Sequence, residues 1–145
     1  MVLPSAVCCA YAWYKRGSAL YELDKYQEAI TSFDKATGIK ADYVYAWYKR
    51  GSALYELGQY QDAIASFDKA TEIKADYAYA WYERGNAFRK LGKYQDAIAS
   101  YDQAIEIKRD YAYAWVGQGF ALEKLEHYNE ALESYEKAIE FDPNN

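Results

Sequence analysis

The sequence predicts an all-α fold, a solenoid built from antiparallel helix pairs. Its four tryptophans stand at positions 13, 47, 81 and 115, so the chain repeats with a period of 34 residues. A fixed period of this size is typical of stacked helical hairpins. Within each period, apolar residues recur at spacings of 3, 4 and 7, which is one face of a helix. With 52% hydrophobic residues, the chain has enough apolar material for a core shared between neighbouring repeats.

The period divides the chain into four repeats, which together form one predicted domain over residues 10–145. The repeats cover residues 10–43, 44–77, 78–111 and 112–145. Residues 1–9 form a short N-terminal extension, in which Pro4 and Ser5 are expected to start the first helix early. Each repeat is expected to contact only its neighbours.

The first helix of each repeat is defined by small and apolar residues on one face. In the second repeat these are Ala46, Trp47, Gly51, Ala53 and Leu54. The helix is expected to end near Gly58, because glycine adopts the left-handed conformation that often follows a helix. Asp24 and Glu126 replace this glycine in the first and fourth repeats, so those two turns are predicted to be strained.

The second helix of each repeat also has one apolar face. In the second repeat it carries Tyr60, Ala63, Ile64, Phe67 and Ala70. Small residues such as Gly51 and Ala63 are expected to let the two helices of a pair approach closely. The large rings beside them then fill the remaining space.

This pattern resembles the tetratricopeptide repeat family. A tryptophan, a glycine, an alanine, an aromatic residue and a second alanine recur in register in all four repeats. In the second repeat they are Trp47, Gly51, Ala63, Phe67 and Ala70. The resemblance covers residues 10–145, and the repeats look like those of bacterial, especially cyanobacterial, members or of an engineered protein derived from them. It implies a right-handed superhelix with the first helices on its concave side, and it implies a protein-interaction scaffold.

The junctions between repeats depart from the family pattern, which often has a proline there. The residues in its place are Ala41, Ala75 and Arg109. Because proline helps to end a helix, the stop must come from other residues. We expect it from the aspartates that stand just before each following helix as candidate caps, Asp42, Asp76 and Asp110. The alternative is that one junction runs on as a continuous helix and lets two chains exchange repeats.

A second departure from the family pattern introduces paired charges. Arginine replaces the usual leucine of the first helix in three repeats, and an aspartate stands in the second helix of the same repeats. The candidate ion pairs involve Arg16, Arg50, Arg84, Asp34, Asp68 and Asp102. In the fourth repeat both positions change, to Gln118 and Glu136. We interpret the pairs as structural links within or between repeats that set register, and the alternative is independent solvated charges.

Helical spacing places many tyrosines opposite the packed face of the first helices, and the resemblance makes that face the groove of the superhelix. The first tyrosine row is Tyr11, Tyr45, Tyr79 and Tyr113, and the second tyrosine row is Tyr14, Tyr48 and Tyr82. The predicted binding face also includes Lys15, Ser18, Lys49, Ser52, Tyr55 and Asn86. Tyrosine combines broad apolar contact with a hydroxyl and little entropy to lose, so the predicted ligand is an extended or helical peptide. The alternative is that these tyrosines only pack along adjacent helices.

Composition and motifs argue against other classes of function. The net charge is −5 and no basic stripe marks a nucleic-acid surface. No segment approaches the roughly 18 apolar residues of a membrane span, and no secretory leader is evident, so a cytoplasmic protein is expected. His127 is the only histidine and has no nucleophile at a useful spacing, and adjacent Cys8 and Cys9 offer neither a disulfide nor a metal site. We therefore expect no enzyme activity, no metal and no cofactor.

The last predicted helix carries an apolar face that no later repeat in this sequence covers. Solenoids usually finish in a polar capping element, and this helix instead has Leu132, Tyr135 and Ile139 as a candidate association surface. The alternative function is therefore a self-assembling or engineered repeat module without a natural ligand. Such a module would form end-to-end or repeat-swapped homo-oligomers.

Overall fold

The protein is a succession of α-helices joined by short turns. The computed structural model describes residues 4–144, with side chains from residue 6 onward, and this part contains no strand. Its eight helices are α1 Pro4–Glu22, α2 Tyr26–Ile39, α3 Val44–Glu56, α4 Tyr60–Ile73, α5 Ala78–Lys90, α6 Tyr94–Ile107, α7 Ala112–Lys124 and α8 Tyr128–Phe141. The predicted all-α fold of helix pairs is confirmed. Helix α1 includes most of the predicted N-terminal extension.

The chain divides into two compact units, Met1–Ala75 and Asp76–Asn145. The first unit holds α1 to α4 and the second holds α5 to α8, so each contains two of the predicted repeats. In the first unit α1 packs on α2, α3 packs on α4, and α2 also packs on α3. The second unit repeats this order, because α5 packs on α6, α7 on α8, and α6 on α7. Within each unit, the first helix pair therefore contacts the second pair mainly through its second helix, as a stack of hairpins requires.

In the first unit, each hairpin is held by a glycine that faces a buried aromatic ring. A Cβ atom placed on Gly51 would lie 2.6 Å from Cε1 of Phe67, and one on Gly17 would lie 2.7 Å from Cε1 of Phe33. Both phenylalanines are completely buried. The glycines thus allow the first helix to rest directly on the ring of the second, as the sequence predicts.

The third repeat builds the same crossing with a tyrosine and a polar partner. Tyr101 is completely buried and its hydroxyl donates a hydrogen bond of 2.7 Å to Oδ1 of Asn86. Asn86 is only 8% exposed, so its predicted place on the binding face is wrong. The physical reason is that a buried phenol needs a hydrogen-bond partner, and the amide of Asn86 supplies it from the facing helix.

The turns inside the helix pairs adopt the left-handed conformation that the sequence predicts. Gly58 and Gly92 have φ values of 75° and 72°, and Asp24 and Glu126 have φ values of 58° and 64°. The two non-glycine residues therefore carry the expected backbone strain. The carboxylate of Asp24 also accepts a hydrogen bond of 2.8 Å from the Tyr26 hydroxyl, and this bond is the main reason that the pKa of Tyr26 rises to about 12.

The junctions between repeats are broken, but not by the predicted caps. Helix α2 ends at Ile39 and α3 begins at Val44, so the alternative of a continuous helix is not formed there. The expected aspartate cap is wrong, because no side chain caps α3 and the Asp42 carboxylate instead lies 2.9 Å from Nζ of Lys40. The indole of Trp47 donates a hydrogen bond of 2.8 Å to the carbonyl oxygen of Ala41.

The junction inside the second unit follows the same rule. Helix α6 ends at Ile107 and α7 begins at Ala112, again without a side-chain cap. The indole of Trp115 donates a hydrogen bond of 2.8 Å to the carbonyl oxygen of Arg109. A recurring tryptophan therefore satisfies a carbonyl at the end of the preceding repeat, a task that helix caps perform elsewhere.

Candidate binding surface

The first tyrosine row is the exposed part of the predicted binding face. Its four rings, Tyr11, Tyr45, Tyr79 and Tyr113, are between 47% and 55% exposed. In the three later repeats, each of these tyrosines is the second residue of its helix, so the start of the helix fixes its direction. Large side chains that are half exposed at equivalent positions of successive repeats are suited to contact with a second molecule.

The second tyrosine row is part of the packing of each unit. In the first unit, the ring centroid of Tyr14 lies 5.0 Å from that of Tyr43 and 6.1 Å from that of Phe33. In the second unit, the ring centroid of Tyr82 lies 5.0 Å from that of Tyr111. Burial is the main cause that raises the pKa of Tyr82. The second row therefore takes part in packing, as the alternative predicts, and its rings are partly buried, so its role in a binding surface stays a prediction.

Tyr48 shows the same arrangement in the second repeat. Its ring centroid lies 6.0 Å from that of Phe67, and the side chain is partly buried. The two tyrosine rows share one helical face in the sequence, but in the structure the second row is partly buried and the first row is exposed.

In the second unit, the tyrosine just before α7 contacts both members of the first tyrosine row. Tyr111 is 8% exposed and meets Tyr79 edge to face, with ring centroids 5.3 Å apart and planes at 75°. It meets Tyr113 in the same way at 6.4 Å and 81°. Edge-to-face contacts are favourable for aromatic rings, so the exposed edges of Tyr79 and Tyr113 are pre-oriented. Tyr111 lies outside the predicted binding face, although a tyrosine follows each junction aspartate and this recurrence is a usable signal.

The predicted polar members of the face are mostly occupied by contacts within their own helices. The hydroxyl of Ser18 donates to the carbonyl oxygen of Tyr14 at 3.0 Å, and that of Ser52 donates to the carbonyl oxygen of Tyr48 at 3.2 Å. A serine bonded in this way to the preceding turn has already used its one donor. These two serines are therefore minor contributors to any binding face.

The remaining candidates lie on α1 and α3 of the first unit. Lys15 is exposed, whereas Nζ of Lys49 lies 5.1 Å from the ring centroid of Tyr21, within the range of a cation–π contact. Tyr55 meets Tyr60 edge to face with ring centroids 5.2 Å apart. Lys15 is thus the more exposed of the two predicted lysines.

The arginines link successive repeats. Nε of Arg50 lies 2.6 Å from Oδ1 of Asp34 in the preceding repeat, and its Nη1 lies 2.7 Å from the hydroxyl oxygen of Ser66 in its own. One guanidinium on α3 therefore connects α2 and α4. The structure thus pairs Arg50 between repeats, with Asp34 rather than with Asp68 of its own repeat, because α3 packs against both α2 and α4.

The other arginines of the series keep the bond to the serine of their own hairpin. Arg16 and Arg84 donate from Nη1 to Ser32 and Ser100 of their own hairpins. In the fourth repeat, Gln118 donates to Oδ1 of Asp102 in the preceding repeat and accepts a 2.8 Å hydrogen bond from Ser134. The fourth repeat therefore keeps the bridge with a neutral side chain. Desolvation raises the pKa of Asp102, and the hydrogen bond from Gln118 opposes this rise.

A double-mutant cycle on Arg50 and Asp34 is expected to show coupling of about 0.5–1 kcal/mol in the free energy of unfolding. The pair is short but its carboxylate side is half exposed, which limits its net contribution. The matched control is the cycle on Arg50 and Asp68, for which no coupling is expected. Urea unfolding of the five variants and the wild type measures both cycles, and equal coupling in the two would contradict the pairing between repeats.

The fold and this surface define a helical-repeat protein made of hairpins, with an exposed row of tyrosines and a bridge between repeats. The chain belongs to the tetratricopeptide repeat family. Family models described as tetratricopeptide repeat match residues 48–112 and 112–145, and one described as TPR repeat matches residues 17–58. Together they span all four predicted repeats, so the predicted family is confirmed.

Solved structures agree with this assignment. A crystal structure of MamA is 27% identical with a TM-score of 0.90, and the match covers 92% of this chain and 78% of that one. The first TPR of Spaghetti (RPAP3), bound to the HSP90 peptide SRMEEVD, is 25% identical with a TM-score of 0.69 over 70% of this chain and 81% of that one. The Arabidopsis OM64 TPR domain, 21% identical with a TM-score of 0.79 over 81% of this chain and 98% of that one, shares the fold. A comparison with curated protein sequences gave no match.

Proteins of this family are non-enzymatic scaffolds for protein interaction, and this chain is a scaffold of that class. Among the described residues, no helix is both long and apolar enough to cross a membrane. Within the same part of the chain, no three histidine, cysteine or carboxylate side chains come together as metal ligands would. Cys8 and Cys9 are exposed thiols.

Proposed function

We propose that the protein binds a peptide or a partner helix through its first tyrosine row. The observation that carries the proposal is the regular exposure of four large rings at equivalent places, two in each unit. Tyr11 and Tyr45 would form the contact surface of the first unit, and Tyr79 and Tyr113 that of the second. Each pair is a separate contact surface.

Pre-organisation of the exposed tyrosine rings favours binding. Tyrosine has few rotatable bonds, so ordering it on binding costs little entropy. In the second unit the rings of Tyr79 and Tyr113 are already oriented by the buried ring of Tyr111. A ligand that covers their exposed faces gains apolar contact without first ordering the receptor, which favours affinity.

The similar structure bound to SRMEEVD supports peptide binding as the kind of function, but not the same peptide. Members that clamp a C-terminal carboxylate use lysine and asparagine side chains at places that tyrosines hold in this sequence. The proposed ligand is therefore recognised by aromatic and apolar contact along its length. The clamp residue that could have acted from the third repeat, Asn86, is bound inside the protein to Tyr101.

The test is selection of a peptide from a random library on the wild-type protein, followed by affinity measurements on single variants. We expect Tyr45→Ala or Tyr79→Ala to weaken binding by about tenfold, since aromatic residues dominate the energy of most interfaces. Tyr128→Ala is the matched control, because Tyr128 is 63% exposed on α8 and lies outside the row. Selected peptides that bind both row variants as tightly as wild type would refute the proposal.

Self-association is a second candidate function, and one observation favours it. On α8, Leu132 and Ile139 are 57% and 63% exposed. The third member of the predicted association surface, Tyr135, is partly buried. Its ring packs against Gly119, where a Cβ atom would lie 2.7 Å from it. Tyr135 therefore contributes less to the surface than expected. A second copy could cover α8 with its own α1. Light scattering over a dilution series tests this, and a strict monomer at high concentration contradicts it.

A further inference from the structure

The second unit contains a groove between α6 and α8, with α7 as its floor. Both α6 and α8 pack on α7, and among the described helices these two do not pack on each other, so a groove stays open between them. Its volume is about 550 Å³. Ile98, Trp115 and Leu122 form the apolar part of its lining, and carboxylate side chains form most of the rest. We call it the α6–α8 groove.

The first unit shows what the equivalent place holds two periods earlier. There α3 packs on both α2 and α4, and Trp47 and Asp34 stand at the places of Trp115 and Asp102. The guanidinium of Arg50 lies over the Trp47 ring, with Cζ 5.9 Å from the ring centroid. Its Nε lies 2.6 Å from Oδ1 of Asp34. One guanidinium thus makes a cation–π contact and an ion pair at the same place.

The contact between arginine and tryptophan recurs in the first and third repeats. Cζ of the arginine lies 5.6 Å and 5.5 Å from the ring centroid of the tryptophan three residues earlier. In the fourth repeat the equivalent residue is Gln118, whose amide carries no charge. The ring of Trp115 is still held in place, because its N–H donates a hydrogen bond of 2.8 Å to the carbonyl oxygen of Arg109. Trp115 therefore presents a fixed aromatic ring without a guanidinium from its own repeat.

Two substitutions make the α6–α8 groove more acidic than its counterpart. Gln118 takes the place of Arg50, and Glu133 takes the place of Ala65. The lining contains five carboxylates and one lysine, a formal charge of −4, whereas the equivalent residues of the first unit comprise four carboxylates and two cations, a formal charge of −2. The carboxylate of Asp102 accepts a hydrogen bond from the neutral amide of Gln118, and this bond does not neutralise its charge. An aromatic ring beside excess negative charge favours a cationic ligand.

We propose that the α6–α8 groove binds an arginine side chain of a partner polypeptide, with the guanidinium over the ring of Trp115 and its N–H groups directed at Asp102 and Glu133. Arginine suits this place better than lysine, because a planar guanidinium stacks on an aromatic ring and donates to several carboxylate oxygens at once. Arg50 shows this binding mode within the same chain. The inference goes beyond the proposed function, since the lining of the groove and the first tyrosine row share no residue.

The probe is the peptide acetyl-Ala-Arg-Ala-Arg-Ala-amide, and its match is the same peptide with lysine in place of both arginines. Binding is followed by the NMR signals of the indole N–H groups, of which the chain has four. We expect the arginine peptide to shift the signal of Trp115 in a saturable way and the other three signals less. The lysine peptide should bind about three- to fivefold more weakly, because an ammonium lacks the flat stacking contact and the paired hydrogen bonds of a guanidinium.

The protein variant is Gln118→Arg, which places at this position the arginine that the other three repeats have. Its own guanidinium should cover Trp115 and pair with Asp102, so we expect the arginine peptide to bind at least about tenfold more weakly. The matched control is Gln103→Arg, the same substitution at an exposed residue of α6 outside the groove. At physiological salt, where exposed charges are screened, the control should bind within about twofold of wild type. Circular dichroism verifies that both variants fold.

Equal binding of the arginine and lysine peptides would show that the groove attracts only positive charge, and it would overturn the proposal. So would equal weakening in Gln118→Arg and Gln103→Arg, the absence of saturable binding, or shifts confined to the other three indoles. These results leave the proposed function standing, because its test reads Tyr45→Ala and Tyr79→Ala, and both of these tyrosines lie outside the groove.

Discussion

Replacing Gly51 by alanine is expected to lower the free energy of unfolding by about 1–3 kcal/mol. The new methyl group would lie 2.6 Å from Cε1, 2.8 Å from Cδ1 and 2.9 Å from Cζ of Phe67. These distances are too short for carbon atoms, and the ring cannot move away because it is completely buried. Alanine also improves helix propensity by about 1 kcal/mol, so the steric cost must exceed this gain for the net change to be a loss.

The matched control is Gly38→Ala in the same unit. Gly38 lies in the last turn of α2, and a Cβ atom placed there has no neighbour within 4 Å. Here alanine brings only the gain in helix propensity, and we expect the free energy of unfolding to rise by about 0.5–1 kcal/mol. Urea denaturation of both variants measures the two effects. An increase in stability for Gly51→Ala would show that α3 does not rest on the Phe67 ring.

The sequence predicted the helix pairs correctly because two independent periods agree. The period of 34 residues sets the repeats, and the helical spacing of apolar residues sets the faces. The stop at each junction was predicted, but its cause was wrong. An indole that bonds a carbonyl six residues earlier, as Trp47 bonds Ala41, leaves no trace in the apolar pattern. The tryptophan was interpreted only as a packing residue.

The candidate binding face was predicted only in part, and the reason is geometric. Residues three positions apart share a helical face, so the sequence could not separate Tyr11 from Tyr14. The separation comes from the junction at the end of the first repeat, where the ring centroid of Tyr43 lies 5.0 Å from that of Tyr14 while Tyr11 stays 55% exposed. Burial by a junction residue depends on how the hairpins are connected and stacked, which spacing within one helix does not contain.

The partner of Arg50 could likewise not be identified from spacing in the sequence. Asp34 and Ser66 each lie 16 residues from Arg50, on opposite sides in the chain. Every residue of a repeat has an equivalent one period away, so a sequence pattern cannot tell a partner in the same repeat from one in the repeat before. Only the position of α3 against both α2 and α4 decides it.

The second unit contains three residues with complementary roles around one buried phenol, namely Tyr101, Asn86 and Gly117. Two periods earlier, in the first unit, the equivalent residues are Phe33, Ser18 and Lys49. All three residues therefore differ between the two units. The phenol of Tyr101 needs both a hydrogen-bond partner and space. Asn86 supplies the partner, and Gly117 supplies the space on the neighbouring helix, where a Cβ atom would lie 2.6 Å from Cζ and 3.0 Å from the hydroxyl oxygen.

Gly117→Ala is therefore expected to lower the free energy of unfolding by about 1–3 kcal/mol, even though alanine is the better helix former. Tyr101→Phe alone is expected to cost about 1–3 kcal/mol, because it removes the hydroxyl that bonds the buried amide of Asn86. In the Tyr101→Phe background the Gly117→Ala substitution should cost less, since the 3.0 Å contact with the hydroxyl is gone and the ring, no longer bonded to Asn86, can shift away from the new methyl group. The first unit combines a phenylalanine with a side chain at these two places, Phe33 and Lys49, so the pair is compatible. A double-mutant cycle by urea unfolding should give a coupling of about 1 kcal/mol, and additive effects would show that the glycine is not there to accommodate the phenol.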